Sequence, residues 1–167
     1  MSTFLFREIV FGPVQSRRLG VSLGINLLPV SRKYCNFDCI YCECGRNTHQ
    51  LCNGSLPTRQ EIYSALERKL IALQQANTLP DAITFAGNGE PTIHPAFAEI
   101  INDTVSLRNQ FAPNSNISVL SNATTLHSQE IVEALNMIDM PILKLDSAIN
   151  ETIALMNQPA KKISAPK

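Results

Sequence analysis

The chain has 167 residues, of which 44% are hydrophobic, and its formal net charge at pH 7 is zero. This length and composition are enough for one compact domain with a buried core, and the neutral charge indicates neither a nucleic-acid nor a membrane partner. No apolar stretch approaches the roughly 20 residues that span a bilayer, and the N-terminus lacks the basic and apolar segments of a signal peptide. We therefore expect a cytoplasmic protein without a membrane partner.

Two arginines, Arg17 and Arg18, precede the first predicted strand, residues 21–30. Strand 21–30 is rich in Val, Ile and Leu, which is typical of a buried strand. The arginine pair suits the binding of a phosphate or carboxylate, and a simple basic pair on the surface is the alternative.

Three closely spaced cysteines follow this strand, at Cys35, Cys39 and Cys42. In a reducing cytosol, cysteines bunched in this way favour thiolate–metal chemistry over disulfides. A C-x3-C-x2-C spacing on one loop can place three thiolates on one face of an iron–sulfur cube and leave the fourth iron without a protein ligand. The sequence therefore predicts a cluster with one open iron.

The other two cysteines, Cys44 and Cys52, leave an alternative open. A C-x7-C pair is two ligands short of a second cluster, so we interpret these two as spare or partly buried thiols. A structural zinc site formed by the first three cysteines and one of these two is the alternative.

Helices and strands alternate along the rest of the chain. A helix is predicted after Pro57, because Thr58 and Glu61 form a capping box and apolar residues follow at four-residue intervals. The further predicted elements are strands at residues 82–86, 116–121 and 141–146 and helices at residues 95–110 and 128–137. This alternation predicts an α/β fold with a parallel sheet of four strands, whose functional residues lie at the carboxyl ends of the strands.

The predicted strand ends carry polar motifs. The run from Gly87 to Pro91 follows the second strand, where glycines allow close approach of a ligand and Glu90 can accept a hydrogen bond from a cationic amino group. Ser121 and Asn122 end the third strand and either contact a ligand or cap the following helix.

In the fourth predicted strand, leucines alternate with Lys144 and Asp146. One face of that strand is then wholly apolar, and the charged face points away from the covering helices. Isolated buried charges are costly, so we expect Lys144 and Asp146 to pair with each other or with a ligand. A solvated face on an edge strand is the alternative.

Together, the cysteine loop and the loop from Gly87 to Pro91 resemble the signature motifs of the radical S-adenosylmethionine (radical SAM) enzymes. The resemblance implies that Cys35, Cys39 and Cys42 hold a [4Fe–4S] cluster whose open iron is chelated by S-adenosylmethionine. It further implies a partial (β/α) barrel with about four of its six βα units.

The same resemblance implies roles for the remaining cofactor-binding candidates. Tyr41 would lie beside the adenine, and Glu90 with the backbone of the loop glycines would hold the methionyl amino group. Because Asn88 is inserted relative to the Gly-Gly-Glu-Pro pattern of that family, it is open which glycine of the pattern corresponds to Gly87 and which to Gly89. The predicted cofactor-binding set is Tyr41, Gly87, Gly89, Glu90, Ser121, Asn122, Lys144 and Asp146.

More narrowly, residues 12–42 resemble small iron–sulfur oxidoreductases related to the enzymes that build wyosine-type bases in tRNA. This similarity makes tRNA one candidate substrate, although the neutral charge argues against assuming it. We expect a single domain over residues 1–167 that is incomplete at its C-terminus, where a partner chain could complete the barrel.

The predicted function is that of a radical SAM enzyme. An external flavodoxin- or ferredoxin-like donor would reduce the cluster, and S-adenosylmethionine would be cleaved to a 5′-deoxyadenosyl radical that abstracts hydrogen from an unidentified substrate. The alternative is a non-catalytic metal-binding or accessory protein, with zinc or an iron–sulfur cluster, or an inactive fragment.

Overall fold

The computed structural model describes residues 4–47 and 55–160. Cys52 and the polar C-terminal segment from residue 161 lie outside these ranges, so the predictions made for them stay predictions. The described residues form β1 (Val10–Ser16), β2 (Gly20–Ile25), α1 (Arg59–Gln75), β3 (Ala82–Phe85), α2 (Phe97–Phe111), β4 (Asn116–Ser121), α3 (Gln129–Asn136), β5 (Met140–Leu143) and α4 (Asn150–Asn157).

The five strands form one mixed sheet in the order β1-β2-β3-β4-β5. Strands β2 to β5 are parallel to their neighbours, and each is followed by a helix, whereas β1 pairs with β2 in the antiparallel direction. The predicted α/β class is therefore confirmed. The predicted count of four strands is wrong, because β1 was not expected.

Strand β1 escaped prediction because its sequence is unfavourable for a strand. Gly12 and Pro13 lie in its interior, and both residue types are depleted in strands. The register shifts between Phe11 and Val14, so this stretch accommodates an irregularity in the pairing with β2. The next strand is also shorter than predicted, since β2 ends at Ile25.

Helix α1 begins as the sequence predicts. The Thr58 hydroxyl accepts a hydrogen bond from the backbone N–H of Glu61, and the Glu61 carboxylate accepts one from the backbone N–H of Thr58. Ile62, Leu66 and Leu70 are buried on one stripe of the helix and join the core. The core also contains alternate residues of the sheet, including Leu23, Ile25, Ile83, Phe85, Ile117 and Val119.

The last strand differs most from its prediction. Strand β5 ends at Leu143, so Lys144 and Asp146 follow the strand and do not belong to it. Leu143 and Leu145 are 44% and 63% exposed, so the prediction of an apolar face covered by helices is wrong at this position. Helix α4, which follows, was not predicted at all.

The parallel strands bring their carboxyl ends to one edge of the sheet. The long connection from β2 to α1 carries the cysteines, and the connections after β3, β4 and β5 carry the other candidate residues. Within residues 4–47 and 55–160, no helix is long and apolar enough to cross a membrane.

Candidate functional site

A cavity of about 570 Å³ lies at the carboxyl edge of the sheet, within the size range of small-molecule sites. Every predicted site residue except Asp146 lines it. The lining residues from the prediction are Cys35, Cys39, Tyr41, Cys42, Gly87, Gly89, Glu90, Ser121, Asn122 and Lys144. The structure therefore brings the candidate residues together, while their chemical roles stay predictions.

The cysteine loop has little regular secondary structure and is held by side-chain hydrogen bonds. The buried Lys33 ammonium group donates to the Asp38 carboxylate at 3.2 Å and to the carbonyl oxygen of Gly45 at 2.9 Å. Asp38 also accepts hydrogen bonds from the backbone and side chain of Asn47, at 2.7 and 2.9 Å. Asn47 in turn accepts a hydrogen bond from the backbone N–H of Cys35 at 3.0 Å. This network closes the loop around the thiols.

The thiols of the loop differ in their electrostatic surroundings. Burial raises the pKa of Cys35 to about 11. A hydrogen bond from the Cys44 thiol lowers the pKa of Cys42 to about 5, and the charge of nearby Lys33 acts in the same direction. The same contact raises the pKa of Cys44. At neutral pH, Cys42 is thus the thiol most readily ionised among these three.

Cys39 has polar neighbours from the other end of the chain. The Asn157 amide nitrogen lies 3.4 Å from its sulfur, and the Lys144 ammonium nitrogen lies 3.7 Å from it. Hydrogen bonds to a thiolate sulfur stabilise its negative charge. Asn157 is buried and was not a predicted site residue, because it lies in a helix that the sequence did not indicate.

Within the described ranges, no group of three or more His, Cys, Asp or Glu residues is placed to hold a metal ion. The prediction of a metal-binding protein is therefore wrong as far as a preformed site for a single ion among these residues is concerned. A single ion would need its donor atoms within its own coordination shell, with sulfur at about 2.3 Å from zinc. The alternative of a zinc site stays a prediction, because one of its two candidate fourth ligands, Cys52, lies outside the described residues.

The glycines of the loop after β3 are needed for contacts within the protein. Gly89 forms a bridge to Tyr34, and a Cβ atom at Gly89 would lie 1.9 Å from the carbonyl oxygen of Tyr34. A Cβ atom at Gly87 would likewise lie 2.3 Å from the side-chain oxygen of Asn26. Both glycines have positive φ angles, of 155° and 146° for Gly87 and Gly89. The loop is therefore docked against the segment that leads into the cysteines.

Asn88, which interrupts the expected glycine pattern, is fully buried and has a structural role. Its side-chain amide donates to the carbonyl oxygens of Phe6 and Pro29 at 2.8 and 2.9 Å, and its side-chain oxygen accepts from the backbone N–H of Phe6. These bonds attach the loop to the N-terminal segment. A buried amide that joins separate loops has no periodic signature, so the sequence could not indicate this role.

Glu90 is 3% exposed, and its carboxylate is surrounded by donors. One oxygen accepts hydrogen bonds from the backbone and hydroxyl of Thr92, at 3.2 and 2.6 Å, and from the hydroxyl of Ser121 at 2.8 Å. The other oxygen accepts from the backbone N–H of Asn122 at 2.7 Å. No ion pair to Glu90 is formed by the residues that the structure describes. The carboxylate thus ties two strand ends together and keeps one oxygen with room for a further donor.

Asn122 connects this carboxylate to the cysteine loop. Its side-chain amide donates to Asn36 at 2.7 Å and lies 3.9 Å from the sulfur of Cys35. Asn36 in turn donates to Thr124 at 2.6 Å. Ser121 and Asn122 therefore contact site residues, whereas Ser128 caps α3 without a side-chain hydrogen bond.

After β5, Lys144 and Asp146 form an ion pair of 2.5 Å, as one of the two predicted arrangements requires. Tyr41 donates from its hydroxyl to Asp146, and its ring centre lies 5.1 Å from the Lys144 ammonium nitrogen. Burial opposes ionisation of Asp146, but hydrogen bonds from Lys144, Tyr41 and Asn157 outweigh it and lower the pKa of Asp146 to about 2. Tyr41 is thus anchored to the end of the sheet.

Comparison with known proteins finds relatives that carry two different names, UPF0026 protein and GTPase Obg. The chain is 34% identical over 158 residues to a UPF0026 protein of Helicobacter pylori and 30% identical over 160 residues to one of Methanocaldococcus jannaschii. These matches cover 92% and 95% of this chain and 47% of each relative, so the chain spans about half the length of these relatives. No family model matches the chain.

A third relative is the GTPase Obg of Brachyspira hyodysenteriae, with 33% identity over 161 residues. The match covers 95% of this chain but 22% of that protein. This chain contains no G-x-x-x-x-G-K-S/T run, the phosphate-binding loop of many GTPases. The similarity therefore gives no reason to propose GTP binding here.

The predicted assignment to the radical SAM superfamily is wrong in the light of these comparisons. The relatives carry the name UPF0026, none is named as a radical SAM enzyme, and no family model supports that assignment. With no preformed ion site among the described residues, the description of the chain as a radical SAM iron–sulfur protein lacks support as well. By sequence, the chain is similar to UPF0026 proteins along nearly its whole length.

Proposed function

We propose that the chain is an enzyme that binds a [4Fe–4S] cluster through Cys35, Cys39 and Cys42 and cleaves S-adenosylmethionine beside it. The proposal rests on the cavity and its residues and does not depend on membership of a named superfamily. One observation carries it: three thiols and a buried carboxylate without a cationic partner among the described residues line the same cavity.

The donor set fits such a group. A four-iron cube separates its thiolate ligands more widely than one ion does, so the absence of a compact ion site among the described residues does not conflict with it. Cys42 ionises readily, and Lys33 is a buried cation at the same cavity. Thiolates are the form of cysteine that binds iron, so the ready ionisation of Cys42 and the positive charge of Lys33 favour binding of the cluster.

Glu90 has the chemistry to hold the cationic amino group of S-adenosylmethionine. A buried carboxylate favours a cationic partner, because an uncompensated buried charge is costly. From the described residues, one of its oxygens accepts a single hydrogen bond, which leaves it acceptor capacity, and Glu90 lines the cavity. Ser121 and Asn122 would keep the carboxylate in this position.

When bound, the cluster and S-adenosylmethionine would supply one-electron reductive cleavage, with an external flavodoxin- or ferredoxin-like protein as the electron donor. The chain would supply thiolate ligands, the carboxylate and a cavity that limits access of water. Tyr41, held by Asp146, would form the wall beside the adenine. Lys144 and Asn157 would donate to the sulfur of Cys39.

The finer fold is part of this proposal. Four parallel strands with a helix after each one correspond to four βα units, and further units would extend them to a partial barrel. These further units, from the same chain or from a partner chain, would pack beside β5. The whole protein would then enclose the cavity more completely.

Reductive cleavage of S-adenosylmethionine tests the proposal. The protein is reconstituted with iron and sulfide without oxygen, reduced with dithionite and assayed for 5′-deoxyadenosine and methionine. We expect both products from the parent and from Cys52→Ala, and neither from the variant with Ala at Cys35, Cys39 and Cys42. Cluster-loaded parent that forms no 5′-deoxyadenosine would contradict the proposal and favour a non-catalytic metal-binding or accessory protein.

A further inference from the structure

The cavity extends beyond the carboxyl edge along the face of the sheet opposite the helices. Successive residues of a strand point to opposite faces, so the neighbours of the buried core residues lie on this second face. Ser22, Thr84 and Ser118 form a buried row of hydroxyls there, joined by hydrogen bonds of 2.7 and 2.8 Å. Leu120 and Ile142 lie next to this row, toward the cysteines, and line the cavity.

Arg18 also lines the cavity. Arg18 lies in the turn between β1 and β2, at the amino end of β2, whereas the cysteine loop follows the carboxyl end of that strand. The first and last Cα atoms of this six-residue strand are five steps, or about 17 Å, apart at about 3.3 Å per step. One cavity is therefore lined both by the thiols and by an arginine from the turn that precedes β2.

Arg18 is the cation of this cavity without a partner among the described residues. Lys33 is paired with Asp38, and Lys144 is paired with Asp146. Arg18 donates only its backbone N–H, to the hydroxyl of Ser16, and its guanidinium group forms no hydrogen bond or ion pair within the described ranges. Guanidinium groups bind carboxylates and phosphates through two parallel hydrogen bonds.

We propose that the substrate of this site is an amphipathic oxyanion whose phosphate or carboxylate group is bound by Arg18. Its apolar body lies on Leu120, Ile142 and the neighbouring leucines, and its reactive end lies toward the cysteines. The proposal rests on the proposed function only in treating the cavity as the reaction site. Binding of the anion needs neither a cluster nor S-adenosylmethionine.

Calorimetric titration of the full chain, without iron and S-adenosylmethionine, tests this inference. The probes are phenyl phosphate, benzoate and the neutral benzyl alcohol, and the variants are Arg18→Gln and its matched control Arg17→Gln. Arg17 is also exposed but does not line the cavity. We expect the parent to bind at least one of the two anions more than tenfold tighter than benzyl alcohol. Arg18→Gln should weaken that binding by about ten- to a hundredfold, as loss of a charge-assisted contact requires, whereas Arg17→Gln should not.

The relative affinities of phenyl phosphate and benzoate identify the anionic group. Far-UV circular dichroism and the urea midpoint verify that both variants are folded. Three results would overturn the proposal: equal affinity of the parent for anionic and neutral probes, unchanged anion binding in Arg18→Gln, or an equal loss in Arg17→Gln. Because no cluster takes part, such a failure leaves the proposed cleavage of S-adenosylmethionine untouched, and failure of that cleavage leaves anion binding untouched.

Discussion

The two sides of the cavity are built differently. On the glutamate side, Asn88 and Glu90 are buried and joined to neighbouring strands and loops by hydrogen bonds of 2.6 to 3.2 Å. On the cysteine side, the half-buried thiols have longer contacts, such as 3.4 Å from Asn157 to Cys39 and 3.9 Å from Asn122 to Cys35. Part of the difference in length reflects the larger size of the sulfur atom. The difference in burial remains: the glutamate side is closed to solvent, whereas the thiols are accessible to a metal or a ligand.

The sharpest test of the glutamate side is Gly89→Ala. The added Cβ atom would lie 1.9 Å from the carbonyl oxygen of Tyr34, at a φ angle that disfavours alanine. We expect a loss of about 3–5 kcal/mol in the free energy of unfolding, from backbone strain and steric overlap together. Urea denaturation followed by circular dichroism measures it. A midpoint equal to that of the parent would show that this loop is not held tightly against Tyr34.

Glu90→Gln should affect both stability and ligand binding. In glutamine, an NH₂ group replaces one carboxylate oxygen and would face a group that now donates a hydrogen bond to Glu90. We therefore expect a loss of about 2–3 kcal/mol in the free energy of unfolding. The affinity for S-adenosylmethionine should fall by about ten- to a hundredfold, because a charge-assisted contact is lost. The EPR signal of the reduced cluster reports that affinity.

The exposed Glu99 provides the matched control: Glu99→Gln removes a charge from the first turn of α2, so it should cost less than about 1 kcal/mol of stability and leave the affinity unchanged. Cluster content should stay normal in both variants. Unaltered affinity in a folded Glu90→Gln protein would remove Glu90 from the ligand site and leave it a purely structural residue.

On the cysteine side, Asn47→Ala should have a smaller effect. The substitution removes the acceptor for the Cys35 backbone and two donated bonds, in a half-buried loop. We expect a loss of about 1–2 kcal/mol in the free energy of unfolding and slower uptake of iron and sulfide. The exposed Asn114 provides the control as Asn114→Ala. Equal rates of uptake in parent and Asn47→Ala would mean that Asn47 does not shape the cysteine loop.

The smallest effect concerns the ion pair after β5. The folded pKa of Asp146, about 2, lies below the ordinary value of about 3.9. The carboxylate therefore stabilises the fold above about pH 4, and this contribution is lost as the pH falls from about 4 toward 2. Solvent screening limits it to less than about 1 kcal/mol. Urea titrations at pH 2, 3, 4 and 6 should show a shallower pH dependence for Asp146→Asn, and identical slopes would contradict the ion pair.

Much of the frame was predictable from local patterns. The capping box of Thr58 and Glu61 and the apolar stripe of α1 are periodic or short-range signals, and the strand at 116–121 matches β4 at both ends. Such signals depend on neighbouring residues only. The gathering of the candidate residues at one edge also followed from the order of strands and helices.

The rest depended on long-range contacts. Lys33, Asp38 and Asn47 join one another through side chains in an irregular loop, which leaves no periodic trace in the sequence. Strand β1 exists because β2 provides a pairing partner that outweighs the poor strand propensity of its Gly-Pro pair. At the end of β5, alternation of leucine and charge imitated a longer strand, although pairing with β4 stops at Leu143.

Iron and sulfide content after anaerobic reconstitution tests the central claim most directly. The parent should bind about four iron and four sulfide per chain, as one [4Fe–4S] cluster requires, and Cys52→Ala should bind as much. The variant with Ala at Cys35, Cys39 and Cys42 should bind none above the level of a protein-free control. Equal iron and sulfide in that variant and the parent would contradict the assignment of the cluster to these three thiols.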